Sequence, residues 1–258
     1  MSADPYLIPN TETLKNLKNI TDAEELEHEA DTLAKINTLA IKNMPFLRVD
    51  WDINFYKDLH KTLFGSIYSW AGEYRTIDVG IAHDHVAYEG INTAQAKIEN
   101  VFDYLNQKYI VSENGKKHLK EVDSNTKKMV LAIVYGSLKN FQPFRDGNTR
   151  TAALFTSILA SNWGLAIDWN MVAPPPKNAS DFVKKMMAKD YQEFCQEQVA
   201  FRDNDPNPLI RRFLGGGLVI PLSEHPELRY PRVTTYTGKS ISEQIDQREK
   251  AVQNLRSL

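Results

Sequence analysis

Apolar residues recur at helical spacing along most of the chain. Thr21 is followed by an acidic residue at Glu24, the pattern of a capping box, and predicts that a helix begins there and runs to about Asn43. A second helix is predicted from about Asp52 to Tyr68 on a stripe of large apolar residues, Phe55, Leu59, Leu63 and Ile67. The same spacing predicts further helices over 93–109, 116–139 and 149–162. Ser180 is predicted to cap another helix, and Pro208 to start a short last one.

The helical period breaks between residues 74 and 92. Tyr74, Thr76, Asp78 and Gly80 alternate there with Arg75, Ile77, Val79 and Ile81. An alternation of period two is typical of a strand, and Val86 to Tyr88 supply a candidate partner strand. The fold class predicted is therefore mainly α, with one short β-hairpin.

The domain organisation follows from the change in composition near Pro221. Residues 1–220 are predicted to form one domain, and 221–258 a polar tail that ends in a helix. In that helix Ile245, Val252 and Leu255 form a narrow apolar stripe. Such a stripe suits packing either on the domain or on a partner, and both remain open.

Charge and cysteine content exclude several classes of protein. The 31 Lys and Arg residues are balanced by 33 Asp and Glu, so no nucleic-acid partner is expected. The single Cys195 excludes an intramolecular disulfide and a cysteine-based zinc site. The first residues lack a basic and an apolar region, and no stretch is long enough for a membrane helix. The default expectation is cytoplasmic, with specialised secretion as an effector left open.

The most informative segment is Asn140 to Ala153, in which a Pro-containing turn leads into a helix. The free N–H groups at a helix start attract anions, and Gly147 lets a phosphate approach the backbone. Asp146 is an oxygen ligand suited to Mg²⁺, and Arg150 can form a bidentate contact with phosphates. The alternative is a capped helix on which Asp146 and Arg150 form a surface ion pair.

Residues 142–150, Gln-Pro-Phe-Arg-Asp-Gly-Asn-Thr-Arg, resemble the motif of the Fic family, His-Pro-Phe-x-(Asp/Glu)-Gly-Asn-Gly-Arg-x-x-Arg. The resemblance extends to the lead-in segments 6–16 and 20–26. It also includes 59–75, which is similar to the family's helix and Trp-Ala-Gly turn before a hairpin called the flap. In all it covers about residues 5–215.

The resemblance implies a helical Fic fold that binds ATP and Mg²⁺ and transfers AMP to a Ser, Thr or Tyr hydroxyl of a target protein. Asp146 would then be the metal ligand and Phe144 would anchor the loop in the core. The phosphates would be bound by Gly147, Asn148, Thr149 and Arg150. The flap, with Thr76, Ile77, Asp78 and Val79, would align a target segment by strand addition.

Three positions depart from the family motif. Gln142 stands where the family has its catalytic His, and an amide cannot accept the proton of an attacking hydroxyl near neutral pH. Thr149 replaces a Gly, and Ala153 replaces the second Arg, which removes one phosphate contact. The family's inhibitory helix, whose Glu pairs with that second Arg, also has no good match here.

Two function classes therefore stay open from the sequence. The chain is either a weakened protein adenylyltransferase, or a pseudoenzyme that acts by binding a protein, such as another Fic protein or a small antitoxin, with or without nucleotide. His83 and His85 in the flap are candidates for a metal site or a substitute base. A solvated hairpin tip is the simpler interpretation, since two His without a third ligand rarely hold a metal.

Overall fold

The computed structural model describes residues 4–78, 90–113, 116–175, 180–215, 217–234 and 236–256. Within them lie eight α-helices: α1 (Ala23–Lys42), α2 (Ile53–Phe64), α3 (Ile91–Tyr109), α4 (Ser124–Phe141), α5 (Asn148–Asn162), α6 (Asp181–Arg202), α7 (Asn207–Gly215) and α8 (Ile241–Arg256). The short strands are β1 (Phe46–Arg48), β2 (Ile110–Glu113), β3 (Lys116–Leu119), β4 (Leu165–Ile167), β5 (Val219–Pro221) and β6 (Arg232–Thr234). The mainly α prediction is confirmed.

The centre of the core lies where α2 and α4 pack against α5. Phe155 on α5 contacts four aromatic residues from three other segments, Trp51, Phe55, Tyr56 and Phe102. Gly136 on α4 lets Phe201 approach, because a Cβ at 136 would lie 2.6 Å from its ring. Burial of these rings is the main stabilising contribution at the centre.

Aspartates begin three of the helices. Asp22, Asp52 and Asp123 each accept a hydrogen bond from the backbone N–H three residues later, which satisfies a donor that has no partner inside the helix. The predicted cap of α1 at Thr21 is therefore wrong by one residue. The carboxylate of Asp22 supplies the bond to Glu25 instead.

The prediction of a helix over 116–139 is wrong in its first part. Residues 110–119 contain the antiparallel pair β2 and β3, and α4 begins only at Ser124. Asp123 is the reason, since its side chain caps α4 and separates the helix from the strand before it. The second predicted helix likewise ends at Phe64 rather than Tyr68, because the chain turns at Gly65.

The predicted flap lies mostly outside the described residues. Residues 74–78 are described and have no strand pairing, and 90 onwards leads into α3. Val79, both flap histidines and the candidate partner strand at 86–88 fall in the part that is not described. The hairpin itself stays a prediction.

Residues after Pro221 pack on the rest of the molecule. β6 pairs in parallel with β1, with Phe46 opposite Arg232. On α8, Ile241 is fully buried and Gln244 bonds to the backbone of Arg48. The sequence left two possibilities for the C-terminal helix, packing on the domain or packing on a partner. The contacts of α8 among the described residues are contacts with the domain.

Candidate functional site

The loop that joins α4 to α5 begins at Gln142, whose backbone is left-handed with φ of 48°. Its side-chain Nε2 donates to the carbonyl oxygen of Lys139 at 2.6 Å, one of the carbonyls left without a partner at the end of α4. Gln142 therefore closes the helix. Its amide is engaged with the backbone and carries no group that titrates near neutral pH.

Arg75, which follows the Trp-Ala-Gly turn, fixes this loop from the side. Its backbone N–H donates to the carbonyl of Pro143 at 2.8 Å, and its Nε donates to the carbonyl of Gln142 at 2.7 Å. Its Nη1 donates to the carbonyl of Ile77. The side chain is fully buried, and burial lowers the pKa of its guanidinium. Arg75 thus joins the base of the predicted flap to the loop.

Asn148 closes the loop from within. Its Oδ1 accepts from the N–H of Phe144 at 2.9 Å, and its Nδ2 donates to the carbonyl of the same residue at 2.8 Å. Phe144 is fully buried and stacks on Tyr56 and on His60. The amide of Asn148 is therefore used inside the protein, so that only its backbone N–H is available to a ligand.

His60 on α2 is buried behind the loop and bonded at both ring nitrogens. Its Nδ1 accepts from the N–H of Gly72 at 2.8 Å, and its Nε2 lies 2.9 Å from the carbonyl oxygen of Asp146. Burial lowers the pKa of His60 to about 4 against the opposing effect of Asp146. The imidazole is therefore neutral at physiological pH.

Gly147 forms the N-terminal cap of α5 with φ of 76°, and no side chain caps the helix. A Cβ at this position would lie 2.4 Å from Cε2 of Phe64, so glycine is required by both conformation and space. The first backbone N–H groups of α5 therefore have no capping side chain, and the positive end of the helix dipole lies at this point. That is the arrangement of an anion-binding site.

Arg150 and Asp146 come together one turn apart. Nη2 of Arg150 lies 3.2 Å from Oδ2 of Asp146, Nη1 lies 2.6 Å from Oδ1 of Asp31 on α1, and the guanidinium sits over the ring of Phe64. The hydroxyl of Tyr68 is 3.5 Å from the same Oδ2. Two carboxylates share one guanidinium, so this group of three side chains has a net charge of −1.

The oxygen Oδ1 of Asp146 makes no hydrogen bond to the described residues. It is the carboxylate oxygen that remains for a metal ion, and one such ligand beside substrate phosphates is the usual way in which Mg²⁺ is held. Among the described residues there is no cluster of three or more His, Cys, Asp or Glu that would form an all-protein metal site.

The other predicted residues are placed as follows. Thr149 is exposed on the first turn of α5, and Ala153 is half-buried against the core. Thr76 and Asp78 are exposed, and the backbone N–H of Thr76 is taken by the hydroxyl of Tyr6.

Three residues of the site were not anticipated from the sequence: Asp31, His60 and Arg75. The sequence contained one indication of the role of His60, because it is a polar residue on the apolar face of α2 between Tyr56 and Phe64. The sequence contained no such indication for Asp31 and Arg75, because charged residues are common on solvent-exposed faces. Only the tertiary structure brings them to the loop.

Comparison with known proteins agrees with the motif. Residues 50–160 match the model of the Fic/DOC family. The chain is 30% identical over 171 residues to the protein adenylyltransferase VbhT of Bartonella schoenbuchensis, an overlap of 66% of this chain and 34% of VbhT. It is 26% identical over 172 residues to the probable protein adenylyltransferase Fic of Escherichia coli, of which it covers 76%. The chain thus spans about a third of the length of VbhT.

A solved structure shows the same fold. The crystal structure of BepC, a VirB-translocated effector of Bartonella tribocorum with bound AMPPNP, superposes with a TM-score of 0.65 at 20% identity. The match covers 84% of this chain and 96% of that one. Residues 50–160 are therefore similar to the Fic/DOC family, and the chain resembles protein adenylyltransferases. No helix among the described residues has the length and apolarity to cross a membrane.

Proposed function

We propose that this protein binds ATP with Mg²⁺ at the N-terminus of α5, and that it is a protein adenylyltransferase weakened at the proton-transfer step. The observation that carries the proposal is the uncapped start of α5 at Gly147, flanked by Asp146 and Arg150. The bound nucleotide in BepC and the names of VbhT and the E. coli Fic protein support the same ligand and reaction class.

Each residue has a distinct part in the proposed site. The backbone N–H groups at the start of α5 bind phosphate oxygens, and Arg150 binds the outer phosphates once it exchanges a carboxylate partner for them. Asp146 would hold a magnesium ion through Oδ1, and that ion would screen the charge of the phosphates. Phe144, Asn148 and Arg75 keep the loop in place from behind.

The weakness lies at position 142. Transfer of AMP forms a bond between the target hydroxyl oxygen and the α-phosphorus, breaks the bond to pyrophosphate, and releases the hydroxyl proton. Gln142 accepts no proton at neutral pH, and its Nε2 is bonded to Lys139. Loss of a general base typically costs about 10²–10⁴-fold in rate. We therefore expect slow transfer or none.

A pseudoenzyme that binds a protein partner is the second candidate, and the same position favours it. Gln142 serves as a closing residue for α4, and Ala153 leaves the family's second arginine without an equivalent. In that case the uncapped helix binds nucleotide without turnover, or binds none. The partner proposed is a protein, either a modification target or a second protein such as another Fic protein or a small antitoxin.

Isothermal titration with ATP and Mg²⁺ tests the proposal. We expect saturable binding by the wild type, weakened in Arg150→Gln. Arg211→Gln, a change at an exposed arginine of α7, is the matched control and is expected to bind as the wild type does. Absence of binding at millimolar nucleotide would reject the nucleotide site and leave protein binding as the function.

A further inference from the structure

His60 lies behind the loop, and each of its two ring nitrogens takes part in one hydrogen bond. A backbone N–H can only donate, so Nδ1, which faces the N–H of Gly72, carries no proton. A carbonyl oxygen can only accept, so Nε2, which faces the carbonyl of Asp146, carries one. The two contacts together define a single neutral tautomer that links the turn at Gly72 to the loop at Asp146.

The bond to Asp146 fixes a whole peptide unit. The peptide between Asp146 and Gly147 is planar and trans, so its C=O and N–H point in opposite directions. Because the oxygen is held toward His60 and the core, the N–H of Gly147 is directed away from the core, to the side where α5 begins. That N–H has no acceptor among the described residues.

Apart from the bond to His60, the backbone at Gly147 gives this peptide conformational freedom. Rotation of the unit changes ψ of Asp146 and φ of Gly147, and glycine tolerates both signs of φ. The observed φ of 76° lies in the left-handed region that glycine adopts without strain, so the backbone of Gly147 does not by itself fix the orientation of the peptide. The stack of His60 on Phe144, with ring centroids 3.8 Å apart, holds the imidazole in the position from which it donates.

We infer that His60 is a positioning residue, whose Nε2–H orients the 146–147 peptide so that the N–H of Gly147 faces the incoming phosphates. The inference rests on the proposed nucleotide site and adds a residue to it. His60 does not touch the phosphates, and it acts through the backbone of Asp146.

Two substitutions separate the two bonds of His60. In His60→Gln the side-chain amide reaches the place of Nε2 and keeps a donor for Asp146. In His60→Asn the shorter amide reaches the place of Nδ1, so it keeps the acceptor for Gly72 and loses the donor. Both variants lose the ring stacked on Phe144, so each serves as the stability control for the other.

In isothermal titration with ATP and Mg²⁺, the Kd of His60→Gln should lie within about threefold of the wild-type value. The Kd of His60→Asn should be weaker by about tenfold or more, although the Tm of both variants falls by a similar amount. Glycine-selective ¹⁵N spectra should show the Gly147 resonance shifting with pyrophosphate in the Gln variant and not in the Asn variant. Equal affinities in the two variants would overturn the inference.

Two measurements on protein without nucleotide keep this test separate from that of the proposed function. A crystal structure of His60→Asn should show the 146–147 peptide turned over, while His60→Gln keeps it. In the wild-type protein, ¹⁵N shifts of the His60 ring should report a proton on Nε2. A proton on Nδ1 would reject the inference even if neither variant folds, and even if nucleotide never binds.

Discussion

The two ends of α5 are built in opposite ways. At the N-terminus, Gly147 supplies no capping side chain and the backbone donors are left for a ligand. At the C-terminus, Ser161 and Asn162 bond to the backbone of Tyr230, Pro231 and Val233. The same helix is therefore uncapped at the end where we propose that nucleotide binds, and its polar side chains are paired at the other end, where they hold the C-terminal segment. Variants at the first end should change affinity, and variants at the second should change stability.

The largest effect is expected at the loop before α5, from Gln142→His. Histidine tolerates the left-handed backbone of this position, and an imidazole whose Nδ1–H bonds to Lys139 leaves Nε2 as a base. Transfer of labelled AMP from ATP to proteins of a bacterial lysate should rise by about 10²–10⁴-fold. Gln142→Asn, which suits the same backbone without a base, is the control. A wild type as fast as Gln142→His would contradict the idea of a weakened enzyme.

Arg150→Gln comes next in size. Loss of a charge-assisted contact to phosphate is worth roughly 1.5–3 kcal/mol, so the Kd for ATP should rise between about ten- and a hundredfold. Its ion pairs with Asp31 and Asp146 are partly exposed, and thermal unfolding should change little. A large fall in Tm with unchanged affinity would show that Arg150 stabilises the fold and does not bind nucleotide.

At the other end, Asn162→Ala removes the bonds to Pro231 and Val233 and leaves a backbone N–H without its acceptor. We expect a loss of about 1–3 kcal/mol in the free energy of unfolding, measured by urea denaturation. The Kd for ATP should stay within twofold of the wild type. Asn100→Ala, at an exposed position of α3, is the matched control and should be neutral. Weakened nucleotide binding in Asn162→Ala would show that the two ends are coupled.

The smallest effect should come from Asp31→Asn. It takes one negative charge from the group formed with Arg150 and Asp146, while Arg150 keeps its contact with Asp146. Because unit charges a few ångströms apart interact by about 1 kcal/mol in water, ATP should bind between two- and fivefold more tightly. Glu25→Gln, on an exposed part of the same helix, tests for a general charge effect. Weaker binding would mean that Asp31 orients Arg150.

The helices around the site were predictable, because Phe55, Leu59 and Leu63 recur at a helical period that local sequence sets. The loop residues could be predicted as well, through the resemblance of a contiguous motif. The contacts made by Arg75 and Asp31 could not, since both depend on segments brought together by the fold. β1, β4, β5 and β6 were missed for the same reason: three residues carry too little alternation to indicate a strand.

The parallel pair of β1 and β6 has a consequence for the order in which the protein folds. The hydroxyl of Thr234 on β6 donates a hydrogen bond to the carbonyl of Leu47 on β1, although 187 positions separate the two residues in the chain. Contacts of such high sequence separation form late, because a long loop must close before they contribute. During synthesis on the ribosome β1 is made early, and it stays without a paired strand until β6 emerges. A nascent chain halted before residue 232 would therefore expose the edge of β1 with which β6 pairs.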